Sequence, residues 1–233
     1  MRRYSLEARP LPELVAGPWP AEWSAAGIIA ALEPLVMPDR RLRLREGFAA
    51  RLRDVTVVMD RPHDPHNAAA VLRSCDAFGV QTVHIVSGHQ PLLVSRVVTR
   101  RSERWLDIYE HQTPECALEP LLDDGFTLVT THPQGELVPE DLEHVPKLAL
   151  VFGNEHGGID ERFVRAAGRS VRIPMRGFVE SLNLSVSAAI LLHAAVRGRT
   201  GNLSADEQQR LYARGLYQTV KRAQEVLSGQ TPR

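Results

Sequence analysis

The chain has 233 residues, of which 43% are hydrophobic and 24% are charged, with 16 glycines and 16 prolines. This composition is that of a globular protein with a substantial core, and it excludes collagen-like and low-complexity chains. No apolar stretch approaches the roughly 20 residues that a membrane span needs, and the basic amino-terminal segment lacks the apolar stretch of a secretory signal. Cys75 and Cys116 form neither a disulfide framework nor a metal-binding pair, so we expect a protein of the reducing cytoplasm.

The net charge of zero conceals a segregation of charge along the chain. Residues 105–146 carry ten acidic side chains and no lysine or arginine, so the other 191 residues have a balance of +10. Arginine supplies almost all of the basic charge and clusters at 40–53, 96–104 and 162–176. Clustered arginine suits phosphate recognition, so charge alone favours nucleic-acid binding about as much as it favours a merely solvated surface.

The first elements are a helical lead-in and a buried strand. Residues 1–38 are punctuated by prolines and are predicted to form an N-terminal extension. Residues 39–54 are predicted to form a basic helix with Asp39 as its N-cap. A β-branched apolar run at 55–60 predicts a buried strand, and residues 68–79 predict a helix.

Strands and helices then continue to alternate. Further strands are predicted at 82–87, 126–131, 148–153 and 170–174, and further helices at 115–124, at 160–167 and from Asn183 onward. Alternation with near-continuously apolar strands predicts an α/β domain with a parallel sheet flanked by helices over residues 55–200. An amphipathic helix at 205–227 belongs to a predicted C-terminal helical extension, residues 201–233.

Common nucleotide and hydrolase motifs are missing from the sequence. The loop RPHDPHN at 61–67 follows the first domain strand without a glycine, so the dinucleotide-binding fingerprint is absent. The chain also has no P-loop, no zinc-protease motif and no nucleophile elbow. Its nine histidines are dispersed, and no metal site is indicated.

Three polar segments instead follow predicted strands, where open α/β sheets hold their ligands. In the first, at 63–73, Asn67 occupies a helix start, and Arg73 lies in an otherwise apolar helix where it needs an anion or water. In the second, at 152–158, glycines let the backbone approach a ligand closely.

The remaining polar side chains of these segments lie beside predicted helix starts. Glu155 belongs to the second segment, and Ser181 and Asn183 end the third segment, at 173–183. From the residue pattern alone, each is equally well explained as a helix cap or a favourable charge at a helix dipole.

Together, HDPHNAAAVLRSCDAFGV, LALVFGNEHGG and IPMRGFVESLNLSVSAAILL resemble, in order and spacing, the three motifs of the SPOUT superfamily of RNA 2′-O-methyltransferases. The basic lead-in and the basic C-terminal helix most resemble the tRNA guanosine-18 2′-O-methyltransferase (TrmH) family. The resemblance implies a parallel sheet with a C-terminal trefoil knot (the SPOUT fold), which general topology rules would disfavour. It also implies S-adenosylmethionine bound in the knot, and a homodimer whose active sites draw residues from both subunits.

The resemblance also assigns individual residues. It implies catalytic roles for Arg73, Asn67, Glu155, Ser181 and Asn183, and cofactor contacts, largely through backbone atoms, for Thr131, Gly153, Ile173 and Leu182. Two roles are open for Arg73: stabilising the developing alkoxide, or accepting the proton after deprotonation assisted by an RNA phosphate. The predicted RNA contacts are Arg41, Arg43, Arg45, Arg100 and Arg101.

The implied activity is S-adenosylmethionine-dependent 2′-O-methylation of RNA, with guanosine 18 in the tRNA D-loop as the expected target. An rRNA 2′-O-methyltransferase and a catalytically silent RNA-binding protein of the same fold are the alternatives. The segment TRRSERWLDI before and after Trp105 is more basic than the family pattern, which bears on the path of the RNA.

Overall fold

A computed structural model describes residues 18–87, 102–154, 157–179 and 181–229. The described chain divides into a larger compact unit, residues 52–199, and a smaller one that combines residues 18–51 with 200–229. Within these residues, no helix has the length and apolar character needed to span a membrane.

In the part of the larger unit that the structure describes, the chain forms a six-stranded sheet in which every pairing is parallel. Its strands are β1 (Leu52–Asp60), β2 (Val80–Val86), β3 (Asp107–His111), β4 (Thr127–Thr131), β5 (Leu148–Phe152) and β6 (Ser170–Val171). They lie in the order β3-β2-β1-β5-β4-β6, which confirms the predicted α/β class with a parallel sheet. The central strands β1 and β5 are buried on both faces, which explains their near-continuous apolar sequences.

Helices cover both faces of this sheet. The α-helices of the described residues are α1 (Ala25–Leu32), α2 (Pro38–Ala49), α3 (Pro65–Ala77), α4 (Pro114–Asp123), α5 (Glu161–Ala167), α6 (Leu184–Ala195), α7 (Ala205–Thr219) and α8 (Ala223–Ser228). On one face α3 and α6 pack against Val57, Met59 and Leu150, and α3 also contacts α6. On the other face α4 and α5 pack against Val58 and Val151.

The smaller unit is a helical cluster in which α1 and α2 pack against α7. Its interior includes Ile28, Leu32, Phe48 and Leu216. A Cβ atom at Gly215 would lie 2.9 Å from the Phe48 ring, so this glycine lets α7 approach α2 closely.

Several element boundaries differ from the sequence predictions. The basic helix α2 ends at Ala49, because Leu52 already pairs with Val80 in the sheet. The prediction of Asp39 as its N-cap is wrong: Met37 is the N-cap and Pro38 follows it, which leaves Asp39 in the first turn, where the helix dipole favours an acid.

Two further differences concern the strand β3 and the C-terminal helix. The strand β3 was not predicted, because its sequence DIYEH mixes polar and apolar residues; its buried Asp107 accepts a hydrogen bond from Gln81 Nε2 at 2.9 Å. The single helix predicted at 205–227 is divided into α7 and α8, and Arg222 has a positive φ of 55° at the break.

A pair of buried histidines joins β2 to β3. His84 Nδ1 lies 2.9 Å from His111 Nε2, and the two rings stack with centroids 5.2 Å apart. Burial lowers the pKa of His84 to about 3 and that of His111 to about 4. A neutral pair shares one N–H donor between these nitrogens, whereas protonation of both rings would set two N–H groups against each other.

We expect this pair to make folding sensitive to mild acid. Both pKa values lie below the unfolded value of about 6.5, so the unfolded chain binds more protons. The stabilisation is present above about pH 6.5 and is lost as the pH falls toward the folded pKa values, by roughly 2 kcal/mol per imidazole between pH 7 and pH 5. Urea unfolding between pH 7 and pH 5 measures the effect.

The matched variants for this measurement are His111→Gln and His144→Gln. The first should flatten the decline of unfolding free energy with falling pH, and the second, on an exposed side chain, should leave it unchanged. An equally steep decline in His111→Gln would contradict the assignment to the buried pair.

Candidate active site

The polar segments meet where the chain order across the sheet reverses. From β1 the chain proceeds through β2 to β3 on one side, and it later forms β4 and β5 on the other side. The loops that leave β1 and β5 therefore start from neighbouring strands at the same edge of the sheet. In open parallel sheets this switch point is the usual position of a ligand site.

The first polar segment enters α3 through an aspartate. Asp64 is the N-cap, and its side chain accepts a hydrogen bond from the His66 backbone N–H at 2.8 Å. The expectation that Asn67 occupies this cap is therefore wrong: Asn67 lies inside the first helical turn, three residues after the Asp64 cap. Arg73 lies further along α3 with its side chain exposed, so it reaches water rather than a buried anion.

The third polar segment contacts the first through two asparagines. Asn183 caps α6, because its Oδ1 accepts from the Ser185 backbone N–H at 2.8 Å. Its Nδ2 donates to Asn67 Oδ1 at 3.0 Å, across 116 residues of sequence. The structure thus brings these two candidates together, while Ser181 is exposed and Leu182 is half-buried just before them.

The second polar segment is a tight turn after β5. The Asn154 backbone N–H donates to the Gly158 carbonyl at 2.9 Å, and the Gly158 N–H returns a bond to the Asn154 carbonyl at 3.0 Å. A Cβ atom at Gly153 would lie 2.5 Å from the carbonyl carbon of Gly158, so only glycine fits there. Glu155 lies outside the described residues.

The remaining cofactor candidates follow the neighbouring strands. Thr131 ends β4, and its Oγ1 donates to the Val151 carbonyl at 3.3 Å, which places it beside the end of β5 and Gly153. Ile173 follows β6 and packs against the core. A Cβ atom at Gly135 would lie 2.6 Å from the Val171 carbonyl carbon, so the turn after β4 lies directly against β6.

An ion-pair cluster at the ends of β1 and β5 was not found from the sequence. Asp60 is completely buried at the end of β1, and its Oδ1 accepts from Arg61 Nε at 2.9 Å. Its Oδ2 accepts from the Asp160 backbone N–H at 2.7 Å. Hydrogen bonds from Arg162 hold the pKa of Asp160 well below its usual range, and the charge of Arg61 lowers it further. The sequence signal for this cluster was the apolar run that ends in Asp60, because a charged residue at the end of a buried strand needs a partner.

The predicted RNA-binding arginines differ in their surroundings. Arg43 is exposed and Arg41 is half-buried, both on α2. Arg45 donates to Glu33 Oε1 at 2.5 Å, and its guanidinium lies 4.2 Å from the centre of the Tyr212 ring. Hydrogen bonds from Tyr212 and Arg45 lower the pKa of Glu33, so Arg45 has a structural partner within the smaller unit. Arg100 and Arg101 lie outside the described residues.

The charge segregation of the sequence is partly cancelled in space. Acidic side chains of residues 105–146 form ion pairs with basic side chains that follow them in the chain: Glu115 with Arg162, Asp124 with Lys147, Glu136 with Arg169, and Glu143 with Arg197. The positive balance outside that acidic stretch therefore overstates the basic charge available to a nucleic acid.

An all-parallel α/β unit whose polar loops leave the sheet at the switch point has the architecture in which ligand and enzymatic sites lie at the ends of the strands. The sequence matches the SpoU rRNA Methylase family over residues 54–193. It is 32% identical over 190 residues to a tRNA (guanosine(18)-2′-O)-methyltransferase of Escherichia coli strain K12. The alignment covers 77% of this chain and 83% of that relative.

Solved structures of similar fold agree with this match. The TrmH/SpoU tRNA modifying enzyme of Aquifex aeolicus superposes with a TM-score of 0.71 at 30% identity, covering 78% of this chain and 98% of that one. The SpoU methyltransferase AviRb of Streptomyces viridochromogenes, in complex with the cofactor AdoMet, gives 0.55 at 27% identity, covering 64% and 60%. The chain therefore belongs to the SpoU rRNA methylase family.

The capping role of Asn183 can be separated by mutation from its hydrogen bond to Asn67. Asn183→Ala removes the cap of α6 and should lower the unfolding free energy by about 1 kcal/mol. Asn183→Asp keeps the capping oxygen but loses the amide that donates to Asn67, so its stability should stay within about 0.5 kcal/mol of the wild type. Urea denaturation compares the variants, and equal destabilisation in both would contradict the capping role.

Proposed function

We propose that this chain transfers a methyl group from S-adenosylmethionine to a ribose 2′-oxygen of RNA, with guanosine 18 in the tRNA D-loop as its target. The observation that carries the proposal is the meeting of the first and third motif segments through the Asn67–Asn183 hydrogen bond. The target is proposed from the relative in Escherichia coli, whose name specifies guanosine 18. The proposed place of action is the cytoplasm.

The reaction is a direct displacement, so positioning is the main task of the protein. S-adenosylmethionine supplies an electrophilic methyl group on a sulfonium. The bond from the 2′-oxygen to the methyl carbon would form as the carbon–sulfur bond breaks, the electron pair of that bond would stay on sulfur, and the 2′-proton would pass to solvent water. The residues must therefore hold the ribose in line with the methyl group and favour loss of this proton.

Arg73 is the proposed catalytic residue. Its exposed guanidinium on α3 is accessible to an incoming RNA, and it stabilises the developing 2′-alkoxide without giving up a proton. Proton acceptance by Arg73 is the less economical role, because the guanidinium pKa is above about 12. Asn67 and Ser181 orient Arg73 or the ribose, and Glu155 and Asn183 hold the loops around them.

Thr131, Gly153, Ile173 and Leu182 form the proposed cofactor site. The proposed contacts are made by backbone atoms. This agrees with the Thr131 hydroxyl, which already donates to the Val151 carbonyl, and with Gly153, where there is no room for a side chain. We also propose that the chain after β5 forms a trefoil knot. The path from the edge strand β6 back to α6, which packs against both residues 139–144 and α3, supports such a crossing.

A homodimer is proposed through the face formed by the third segment and α6. Phe178 is fully exposed, and Val179, Val186 and Ile190 expose between 37% and 62% of their surface. Apolar side chains grouped on such a surface are typical of a protein–protein interface. A partner on this face would cover residues next to Ser181 and Asn183, which agrees with a site that both subunits complete.

Arg41 and Arg43 are the proposed phosphate contacts of the smaller unit, since their side chains lie on the basic helix α2. Arg45 is assigned with them, although a contact to RNA would compete with its bond to Glu33. Arg100 and Arg101 complete the proposed RNA-binding set. The competing substrate is ribosomal RNA, which the name of the family favours.

Methyl transfer from labelled S-adenosylmethionine to tRNA transcripts tests the proposal. We expect incorporation into an unmodified tRNA and none into a matched transcript in which guanosine 18 is replaced. Equal incorporation into both would keep the chemistry but reject the target. Incorporation into ribosomal RNA alone would favour the competing substrate, and none into any RNA would leave a silent RNA-binding protein.

The guanidinium of Arg73 can be tested with a charge-preserving change. Arg73→Lys should lower the single-turnover rate by about 100-fold or more, because a lysine cannot reproduce the planar set of donors. Affinity for S-adenosylmethionine, measured by calorimetry, should be unchanged. Arg165→Lys, on an exposed pair with Glu161, is the control. A near-native rate in Arg73→Lys would reject a specific role for the guanidinium.

A further inference from the structure

The residue after β1 has an unusual backbone conformation. Arg61 has a φ of 48°, in the left-handed region that residues with side chains rarely adopt. Such strain persists only where surrounding interactions impose it, and it is concentrated at functional sites. In this conformation the Arg61 side chain folds back onto the preceding residue, so that Nε and Nη2 reach the two carboxylate oxygens of Asp60 at 2.9 and 3.2 Å.

Arg61 is held on its backbone as well as through its side chain. Its N–H donates to the Val86 carbonyl at 2.8 Å, which fixes it to the end of β2. Its carbonyl accepts from Asn154 Nδ2 at 2.6 Å, and Asn154 Oδ1 accepts in turn from the Gly157 N–H at 3.1 Å. One residue thus joins the first polar loop to the tight turn that begins at Gly153.

The far end of that turn is fixed by the same cluster. Asp160 donates its backbone N–H to the buried Asp60 carboxylate at 2.7 Å, and its own Oδ2 accepts from Arg61 Nη2 at 3.2 Å. Asp160 is also the N-cap of α5, and Arg162 donates to it from Nε at 2.8 Å. Arg162 Nη1 reaches Glu115 on α4 at 2.6 Å, which anchors the cluster to the helical layer.

We propose that Asp60, Arg61 and Asp160 form a latch that positions the 153–158 turn for the cofactor. The latch holds the turn on both sides, through Asn154 at its start and through Asp160 two residues after its end, against the loop that leads to Asn67. This inference rests on the proposed function, because the turn begins at Gly153 of the proposed cofactor site. The latch residues are positioning residues: they act through the backbone of the turn.

This role predicts a specific kinetic signature. A latch that shapes the cofactor site acts on the bound cofactor equally before and during the reaction, so its loss should weaken binding more than it slows the chemical step. We expect Arg61→Gly to raise the dissociation constant for S-adenosylmethionine about tenfold, the order of one lost charge-assisted hydrogen bond. At saturating cofactor, the single-turnover rate should stay within about threefold of the wild type.

The choice of substitutions separates positioning from stability. Glycine adopts a positive φ freely, so Arg61→Gly removes the guanidinium and the backbone strain together. Arg61→Lys keeps the charge without the paired donors and should recover only part of the affinity. Asp160→Asn retains a good helix cap and the hydrogen bond from its backbone N–H to Asp60. It should also raise the dissociation constant for S-adenosylmethionine, but by less than Arg61→Gly does. Arg165→Ala, on the same helix outside the cluster, is the matched control.

Calorimetry with S-adenosylmethionine on the full chain without RNA provides the binding readout, and thermal melting reports the folded fraction. Weaker binding by folded Arg61→Gly, with Arg165→Ala at the wild-type value, would support the latch. A lower melting temperature with an unchanged dissociation constant would overturn it and leave a purely structural cluster. If the wild-type chain itself fails to bind the cofactor, the proposed function fails, and the latch inference fails with it.

Discussion

The parallel pairing of β1 with β5 is the constraint on which the site depends. Because both strands run in the same direction, the loops that follow them leave the same edge of the sheet, although about 90 residues separate them in sequence. From Val55 to Met59 in β1 and throughout β5 the residues are buried, and the one polar side chain among them, Thr56, donates its Oγ1 to the Thr82 carbonyl at 2.8 Å. Chemistry is therefore confined to the strand ends, where Asp60 and Gly153 begin the loops.

The sheet could be predicted from sequence where its strands are buried on both faces. β5 is an uninterrupted apolar run, β-branched or apolar residues predominate in β1, β2 and β4, and turns and helices separate these strands clearly. The prediction failed at β3, where buried Asp107 and His111 are satisfied by partners on the neighbouring strand. A single sequence does not reveal such partners, because they lie on another element.

The same limit applies to the site. The position of Asn183 at a helix start was visible in the sequence, but its hydrogen bond to Asn67 was not, because that bond joins different helices. The cap assigned to Asn67 belongs to Asp64, three residues earlier, since Pro65 provides a better first helical residue. Charge counting also overstated the free basic surface, because Arg162, Arg169 and Arg197 have acidic partners that the linear sequence separates from them.

The distance in sequence between Asn67 and Asn183 has a consequence for folding of the chain during its synthesis. Contacts between such remote residues raise the contact order of a fold, and their loop-closure entropy must be overcome late. As the chain leaves the ribosome, β1, α3 and β2 can begin to associate long before the third polar segment is synthesised. The hydrogen bond between Asn67 and Asn183 can form only when nearly all of the larger unit has emerged. A partly synthesised chain can therefore contain much of the sheet while it still lacks the site.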